Sequence, residues 1–375
     1  MKTAASVQIR AISEYKLSEI ESAVDRWFSG IKSSKFKRSK RVLIKPNMLG
    51  AYLPSRAVTT HPIVVEAIIR YFLGKNKEVW VGDSPGGTVS VSRVWELCGF
   101  QDLADRYPIK LVNLSTHPYR TVESNGHSLK ISNALYECGI VINVAKYKTH
   151  SLMAYTGALK NLYGLVPGMV KSEYHRLHPD TRGFADLLLA VYLAARNKIS
   201  YTIIDGITGM DGAGPSAGKV QNFGLLMGSE SVSALDYVAS KMMGFQIKDI
   251  PYLQPALVKD GILPSQISVP RSFYNYQLDA DIALVKLGKE GLKYLPPIVS
   301  KTFKKVYYHY PQVSDRCIKC GVCVRSCPVQ AIAWRENGYP MVMRDECIKC
   351  MCCHELCPIQ AIDIHKSFVA RRFMR

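Results

Sequence analysis

Through the first 300 residues, short apolar runs alternate with amphipathic stretches. Runs of strand length fall at 42–45, 79–82, 111–114, 140–144, 202–204 and 282–285. Apolar positions at helical spacing mark 61–73, 88–97, 184–196 and 231–243. Strand and helix in alternation predict an α/β domain with a largely parallel sheet. The alternation stops near residue 308, and the predicted α/β domain spans 1–308.

The unusual polar residues cluster at the predicted carboxyl ends of strands. Lys45-Pro46-Asn47 follows the first run and Asp83-Ser84-Pro85-Gly86-Gly87-Thr88 the second. Lys146-Tyr147-Lys148-Thr149-His150 follows 140–144, and an eleven-residue loop from Asp205 to Pro215, including Asp211, follows 202–204. In an open parallel sheet that edge is where loops and helix N-termini converge on ligands. Gly86 and Gly87, before a helix opening near Thr88 or Ser90, let backbone N–H groups approach an anion; the plainer reading is a tight turn. Lys146, Lys148 and His150 alternate, so if the chain stays extended past Val144 all three point to one side. Two ammonium groups and an imidazole suit a carboxylate or phosphate, with His150 or a desolvated lysine moving a proton; the plainer reading is a solvated basic edge. We take Lys146, Lys148, His150 and Asp205 as the candidate catalytic group. Lys45, Asn47, Asp83, Gly86, Gly87, Lys160 and Asp211 are the candidate substrate-binding group.

Residues 156–168 are too rich in glycine for a long helix and too apolar for a solvated linker. A lid folded back over the sheet edge fits them. His175 and His178, at i, i+3, lack a partner carboxylate nearby and read as structural or solvent-facing.

Composition narrows the class. Hydrophobic residues make up 47% and charged residues 21%, which excludes a mostly disordered chain. The longest apolar stretch, 184–195, has 12 residues and carries Asp186, against the ~20 a membrane span needs. The start of the chain has no signal-peptide core, so the cytoplasm is the expected location. Cysteine is the exception: nine of the 11 lie between Cys317 and Cys357. In a cytosolic chain such a cluster points to metal ligation before disulfides. Cys98 and Cys138 stand apart and read as small buried hydrophobes.

The cysteines form an internal repeat offset by 30 residues. CIKCGVCVRSCPVQAI (317–332) and CIKCMCCHELCPIQAI (347–362) agree at 10 of 16 positions, each as C-x2-C-x2-C-x3-C-P. This segment resembles the two-cluster bacterial ferredoxin domain, a small α+β unit predicted over 309–375. Three cysteines wrap one cubane, and the fourth reaches across to the other. The resemblance implies that Cys317, Cys320, Cys323 and Cys357 hold one [4Fe–4S] cluster and that Cys347, Cys350, Cys353 and Cys327 hold the second. Cys352 breaks the spacing and is left unligated. A zinc ribbon also uses C-x2-C pairs, but not two interlocked quartets each closed by proline (Pro328, Pro358). The order of motifs upstream, from Lys-Pro-Asn through Thr-Gly-Ala-Leu-Lys-Asn to Asp-Gly-Ile-x-Gly-Met-Asp-Gly-Ala-Gly-Pro, resembles the uncharacterised family numbered 362 among the domains of unknown function. Members often carry a C-terminal ferredoxin domain.

The formal charge is +19; eight thiolates remove eight charges and two cluster cores restore four, leaving +15. Residues 32–41 hold six of the cations, and more lie at Lys301, Lys304, Lys305 and in the tail. No nucleic-acid module accompanies them, so they read as a solvated face or as the steering field for an acidic redox partner protein. A membrane surface is the weaker alternative. The leading expectation is an iron–sulfur oxidoreductase acting on a small anionic substrate. The alternatives are an electron carrier or adaptor for a partner enzyme, and a non-redox enzyme with structural clusters. A flavin is left open, although no dinucleotide fingerprint is present.

Overall fold

A computed structural model describes residues 5–282 and 309–367. At its centre are five parallel strands: β2 (Arg41–Pro46), β3 (Glu78–Asp83), β4 (Ile109–Asn113), β7 (Ile140–His150) and β9 (Tyr201–Asp211). β1 (Gln8–Ala11) and β10 (Lys219–Ser229) extend the sheet through antiparallel pairings, giving the order β1-β10-β9-β7-β2-β3-β4. β5 (Tyr119–Ser124) and β6 (His127–Ser132) form a separate hairpin, and β8 (Ala154–Thr156) turns back on the end of β7. From β2 the chain steps outward to β3 and β4, then returns to the other side of β2 as β7. The crevice beyond the carboxyl ends of β2 and β7 is therefore a topological switch point, where an open sheet leaves room for a ligand.

Side-chain alternation builds a core on each face. On β7, Ile140, Ile142 and Val144 join the cluster beneath the helices Leu17–Ser29 and Pro62–Leu73. Val141, Ala145 and Tyr147 join the opposite cluster, under Thr181–Ala195 and Val232–Met242. Strands buried on both faces read as near-continuous apolar runs, which is why β2, β3 and β7 were legible.

Two strands are longer than their apolar runs suggested. β7 continues through Lys146 and Lys148 to His150, so the chain does stay extended past Val144. β9 runs to Asp211, which makes the first part of the expected loop after 204 a strand paired with β10. Glycine belongs inside it for steric reasons: a Cβ at Gly209 would lie 2.6 Å from the Tyr147 carbonyl oxygen. The helix expected from Thr88 or Ser90 starts at Val91. The run at 282–285 lies outside the described residues beyond 282, as does the predicted domain junction.

The C-terminal part pairs β11 (His309–Val313) with β14 (Ile362–Lys366) and β12 (Ile332–Trp334) with β13 (Pro340–Val342). Short helices, Val322–Arg325 and Cys352–Leu356, follow the first cysteines of each repeat. The two copies share their backbone: Lys319 and Lys349, Gly321 and Met351, and Gln330 and Gln360 all take positive φ at equivalent positions. Five of those six are not glycine, a concentration of left-handed residues typical of loops held by function.

Candidate functional site

The second cysteine repeat docks on the carboxyl edge of the sheet. Tyr52 Oη donates to the carbonyls of Glu355 and Cys357 at 3.1 and 3.2 Å, and Gln360 Nε2 donates to the Ser216 carbonyl. Leu356 and Ser326 sit directly on Gly86 and Gly87; a Cβ at Gly87 would lie 2.4 Å from Ser326 Oγ and 2.6 Å from Leu356. The glycine pair expected to cradle an anion thus serves close approach of the cysteine domain. Thr88 N–H donates to Ser326 Oγ at 3.3 Å beside it.

Between the two parts lies a cavity of about 90 Å³. Asn47, Asp83, Gly86, Gly87 and Lys160, five of the seven candidate binding residues, line it. The run at 156–168 forms its cover as two short helical turns, Ala158–Asn161 and Leu162–Leu165. Asp236 pins this cover, accepting from the N–H groups of Ala158 and Leu159 at 2.7 and 2.8 Å. Cys352, Glu355 and Leu356 supply the wall on the cysteine-domain side. A wider groove of about 620 Å³ opens at the amino end of β9, but none of the four polar loops reaches it.

The floor is a buried ion pair. Lys45 Nζ meets Asp83 Oδ1 at 2.8 Å, and Asp83 also accepts from the N–H groups of Met48 and Ser84. Lys45 itself lies behind this floor. Lys148 Nζ donates to Asn47 Oδ1 at 3.0 Å and to the Val58 carbonyl at 2.6 Å, and Asn47 Nδ2 donates to Asn161 Oδ1 at 3.2 Å. Burial drives the Lys148 amine well below its usual value, with Lys160 adding to the effect.

The residues taken as catalytic sit elsewhere along this edge. Lys146 and Asp205 form a fully buried pair at 2.8 Å, closed further by Tyr15 and by the His61 N–H. That pair ties the start of helix Pro62–Leu73 to the sheet and does not open into the cavity. His150 Nδ1 accepts from the N–H groups of Leu152 and Met153, which puts the ring proton on Nε2, 3.2 Å from Glu355 Oε1. His150 therefore links the two parts of the molecule. Asp211 is held by Gln221 and the Asp281 N–H, away from the cavity.

Two lining residues escaped the sequence reading. Lys171 Nζ donates to the carbonyls of Ser84 and Pro85, and burial lowers its amine to about 7. His175, expected to be structural or solvent-facing, lines the cavity with its ring stacked on Phe184 at 4.2 Å. Burial and the charges of Lys160 and Lys171 push its imidazole down to about 3, so the ring is neutral. The legible signal was their i, i+4 spacing in a helix, Val170–Leu177, too short and polar to draw attention. Lys160 makes no hydrogen bond or ion pair among the described residues; burial lowers its amine while Glu355 and Cys352 act against that. His178, by contrast, rests edge-on against His127.

The cysteines gather as two groups. Cys317, Cys320, Cys323 and Cys357 line one small cavity. Cys353 is deprotonated less readily than a free thiol because of burial and then of its neighbours Cys350, Cys347, Cys323 and Cys327. Burial likewise pushes Cys323 up to about 11, with Cys320, Cys357 and Cys317 adding to it. Thiols in such positions become anions only against cationic metal. The fourth cysteines match: Cys327 Sγ accepts from Ala331 N–H at 3.2 Å and Cys357 Sγ from Ala361 N–H at 3.1 Å. Among the described residues no three His, Cys, Asp or Glu side chains converge tightly enough for a single metal ion. Cys98 and Cys138 are buried, Cys98 donating to the Gly50 and Tyr52 carbonyls.

The basic segment at 32–41 leads into the amino end of β2, whereas the cysteine domain docks beyond the carboxyl ends. Those cations therefore do not flank the cysteines. Among the described residues no helix is long and apolar enough to cross a membrane.

Fold and site together define an α/β protein carrying a 4Fe-4S dicluster domain against the carboxyl edge of its sheet. The chain belongs to the family described as Domain of unknown function (DUF362), whose model matches residues 42–241, and a 4Fe-4S dicluster domain matches residues 312–364. It is 30% identical over 283 residues to the "Thylakoid-associated protein sll1697" of Synechocystis sp. (strain ATCC 27184 / PCC 6803 / Kazusa), covering 73% of this chain and 85% of that protein.

Proposed function

We propose that this protein is an iron–sulfur oxidoreductase whose substrate is a small anion held in the cavity between its two parts. Cys317, Cys320, Cys323 and Cys357 would hold one [4Fe–4S] cluster, and Cys347, Cys350, Cys353 and Cys327 the other. Bound there, the clusters would accept and release single electrons. The observation that carries the reading is the shared wall: Cys352, inside the second cysteine repeat, lines the same cavity as Lys160 and Lys171. An electron-transfer module and a cationic pocket thus meet at the switch point of the sheet.

The chain's own residues support binding and proton transfer. Lys160, without a hydrogen-bonding partner among the described residues, is the natural anchor for an anionic group. Lys171, with an amine near 7, is placed to give a proton and take it back near neutral pH. The neutral His175 ring and Tyr163 add aromatic faces to a wall that also carries Asn47, Ser84, Asn161, Ser172 and Glu355. The buried pairs Lys45–Asp83 and Lys146–Asp205 hold the edge rigid. The relative's name places that protein with thylakoids; for this chain we propose the cytoplasm, at most in peripheral contact with a membrane.

Because Lys171 is protonated below about pH 7 and neutral above it, affinity for an anion should fall as pH rises through that value. Native mass spectrometry of the anaerobic protein would identify the retained anion, and calorimetry would follow its affinity against pH. Lys171→Met should remove the pH dependence, and Lys160→Met should weaken binding about tenfold or more at every pH, a charge-assisted contact being worth ~1.5–3 kcal/mol. Both variants should keep their iron. Unchanged affinity and turnover in both would overturn the assignment of the cavity.

A further inference from the structure

The two cysteine repeats are close copies in sequence but differ in exposure around their second cysteines. In the second, Cys350 and Met351 are buried. In the first, Cys320 is exposed and Ile318 is 62% exposed. Around it the chain leaves another large apolar side chain in water, Trp334. They belong to one surface. Ile318 and Pro340 line the cavity that Cys317, Cys320, Cys323 and Cys357 share. Pro340 is the cross-strand partner of Trp334. The Trp334 ring lies against Gly321, 3.1 Å from where a Cβ would be.

The rim is basic. Lys319 lies over the Tyr339 ring at 4.3 Å and donates to the Asn337 carbonyl, and Arg325 donates to the Cys320 carbonyl at 3.1 Å. Arg335 follows Trp334 and is exposed, with Glu336 the acidic residue next to it. Exposed aromatic and aliphatic side chains at the centre with cations outside are the anatomy of a protein-docking patch.

We propose that this face is where an electron-carrier protein docks, one whose own redox centre lies in an apolar patch ringed by carboxylates. The inference rests on the electron-transfer reading above and gives it a direction in space: exchange with the partner at the exposed first repeat, exchange with the substrate at the buried second one. A second copy of the chain is a poor occupant, because it would bring cations against cations on a protein of formal charge +19.

The test uses the full chain reconstituted without oxygen, with a reduced acidic plant-type [2Fe–2S] ferredoxin as probe and stopped-flow bleaching as readout. Trp334→Glu and Arg335→Glu should each lower the second-order rate about tenfold or more, and added salt should lower the wild-type rate, as for steered association. Dithionite should bleach wild type and variants alike. Lys37→Glu with Lys40→Glu, at the far edge of the sheet, should leave the rate unchanged. Equal rates in wild type and face variants, with dithionite reduction intact, would overturn the docking face alone. So would loss of rate in the Lys37 and Lys40 variant only, or Trp334-dependent self-association or binding to anionic vesicles. Wild-type protein that dithionite cannot reduce would overturn the electron-transfer reading, and this proposal with it.

Discussion

Gly164→Ala is expected to destabilise the α/β domain by about 3–5 kcal/mol, the cost of breaking a buried ion pair. Gly164 lies in the cover, pressed against the floor of the cavity. A Cβ there would be 1.9 Å from Asp83 Oδ1 and 2.6 Å from Lys45 Nζ. Neither group can swing aside cheaply. Asp83 is fixed by the N–H groups of Met48 and Ser84, and the side chains of Asp83 and Lys45 are 4% and 0% exposed. Either the cover lifts and exposes Leu162 and Leu165, or the pair separates and leaves a charge buried without its partner. A lowered urea midpoint with unchanged slope, and lost anion retention, are the results to look for. Gly168→Ala is the control: its Cβ would meet Ser115 at 3.3 Å, a contact that small shifts relieve. A Gly164→Ala protein as stable as that control would show that the cover does not rest on the Lys45–Asp83 pair.

The second large effect separates two adjacent cysteines. Cys353→Ser is expected to lower bound iron from about 8 to about 4 per chain or fewer, and Cys352→Ser to leave about 8, on the two-cubane stoichiometry. The structure gives the two thiols different company. Cys353 is buried near Cys350, Cys347, Cys327 and Cys323, whereas Cys352, hydrogen-bonded to Cys350, also lines the cavity between the two parts. Elemental analysis with visible spectra of anaerobically purified variants decides it. Loss of iron in Cys352→Ser with retention in Cys353→Ser would exchange their roles and break the x2, x2, x3 spacing on which the quartets were drawn.

What the sequence disclosed follows from which signals are local. The parallel strands were legible because β2, β3 and β7 are buried on both faces and carry unbroken apolar runs. The polar continuation of β7 was legible only as alternation, and β9 beyond Ile204 looked like a loop because its glycines make room for Tyr147 and Phe223. Those neighbours are distant in the chain. The cysteine repeat needed nothing beyond its own spacing. The loops at the strand ends do meet, with Lys146 and Asp205 paired in the interior and His150 facing the cysteine domain. Lys171 and His175 were missed because their importance comes from Ser84, Phe184 and the cover, all supplied by tertiary packing. Gly86 and Gly87 looked like an anion cradle since the same conformational freedom serves a ligand or a neighbouring domain.

The central claim is that two interlocked thiolate quartets take up electrons one at a time. A reductive titration of the full chain, prepared without oxygen and followed by visible absorption and electron paramagnetic resonance, tests it most directly. The account predicts a brown protein with about 8 iron and about 8 sulfide that bleaches on taking up about two electrons and then gives a paramagnetic signal. A colourless protein holding stoichiometric zinc, silent after reduction, would contradict it.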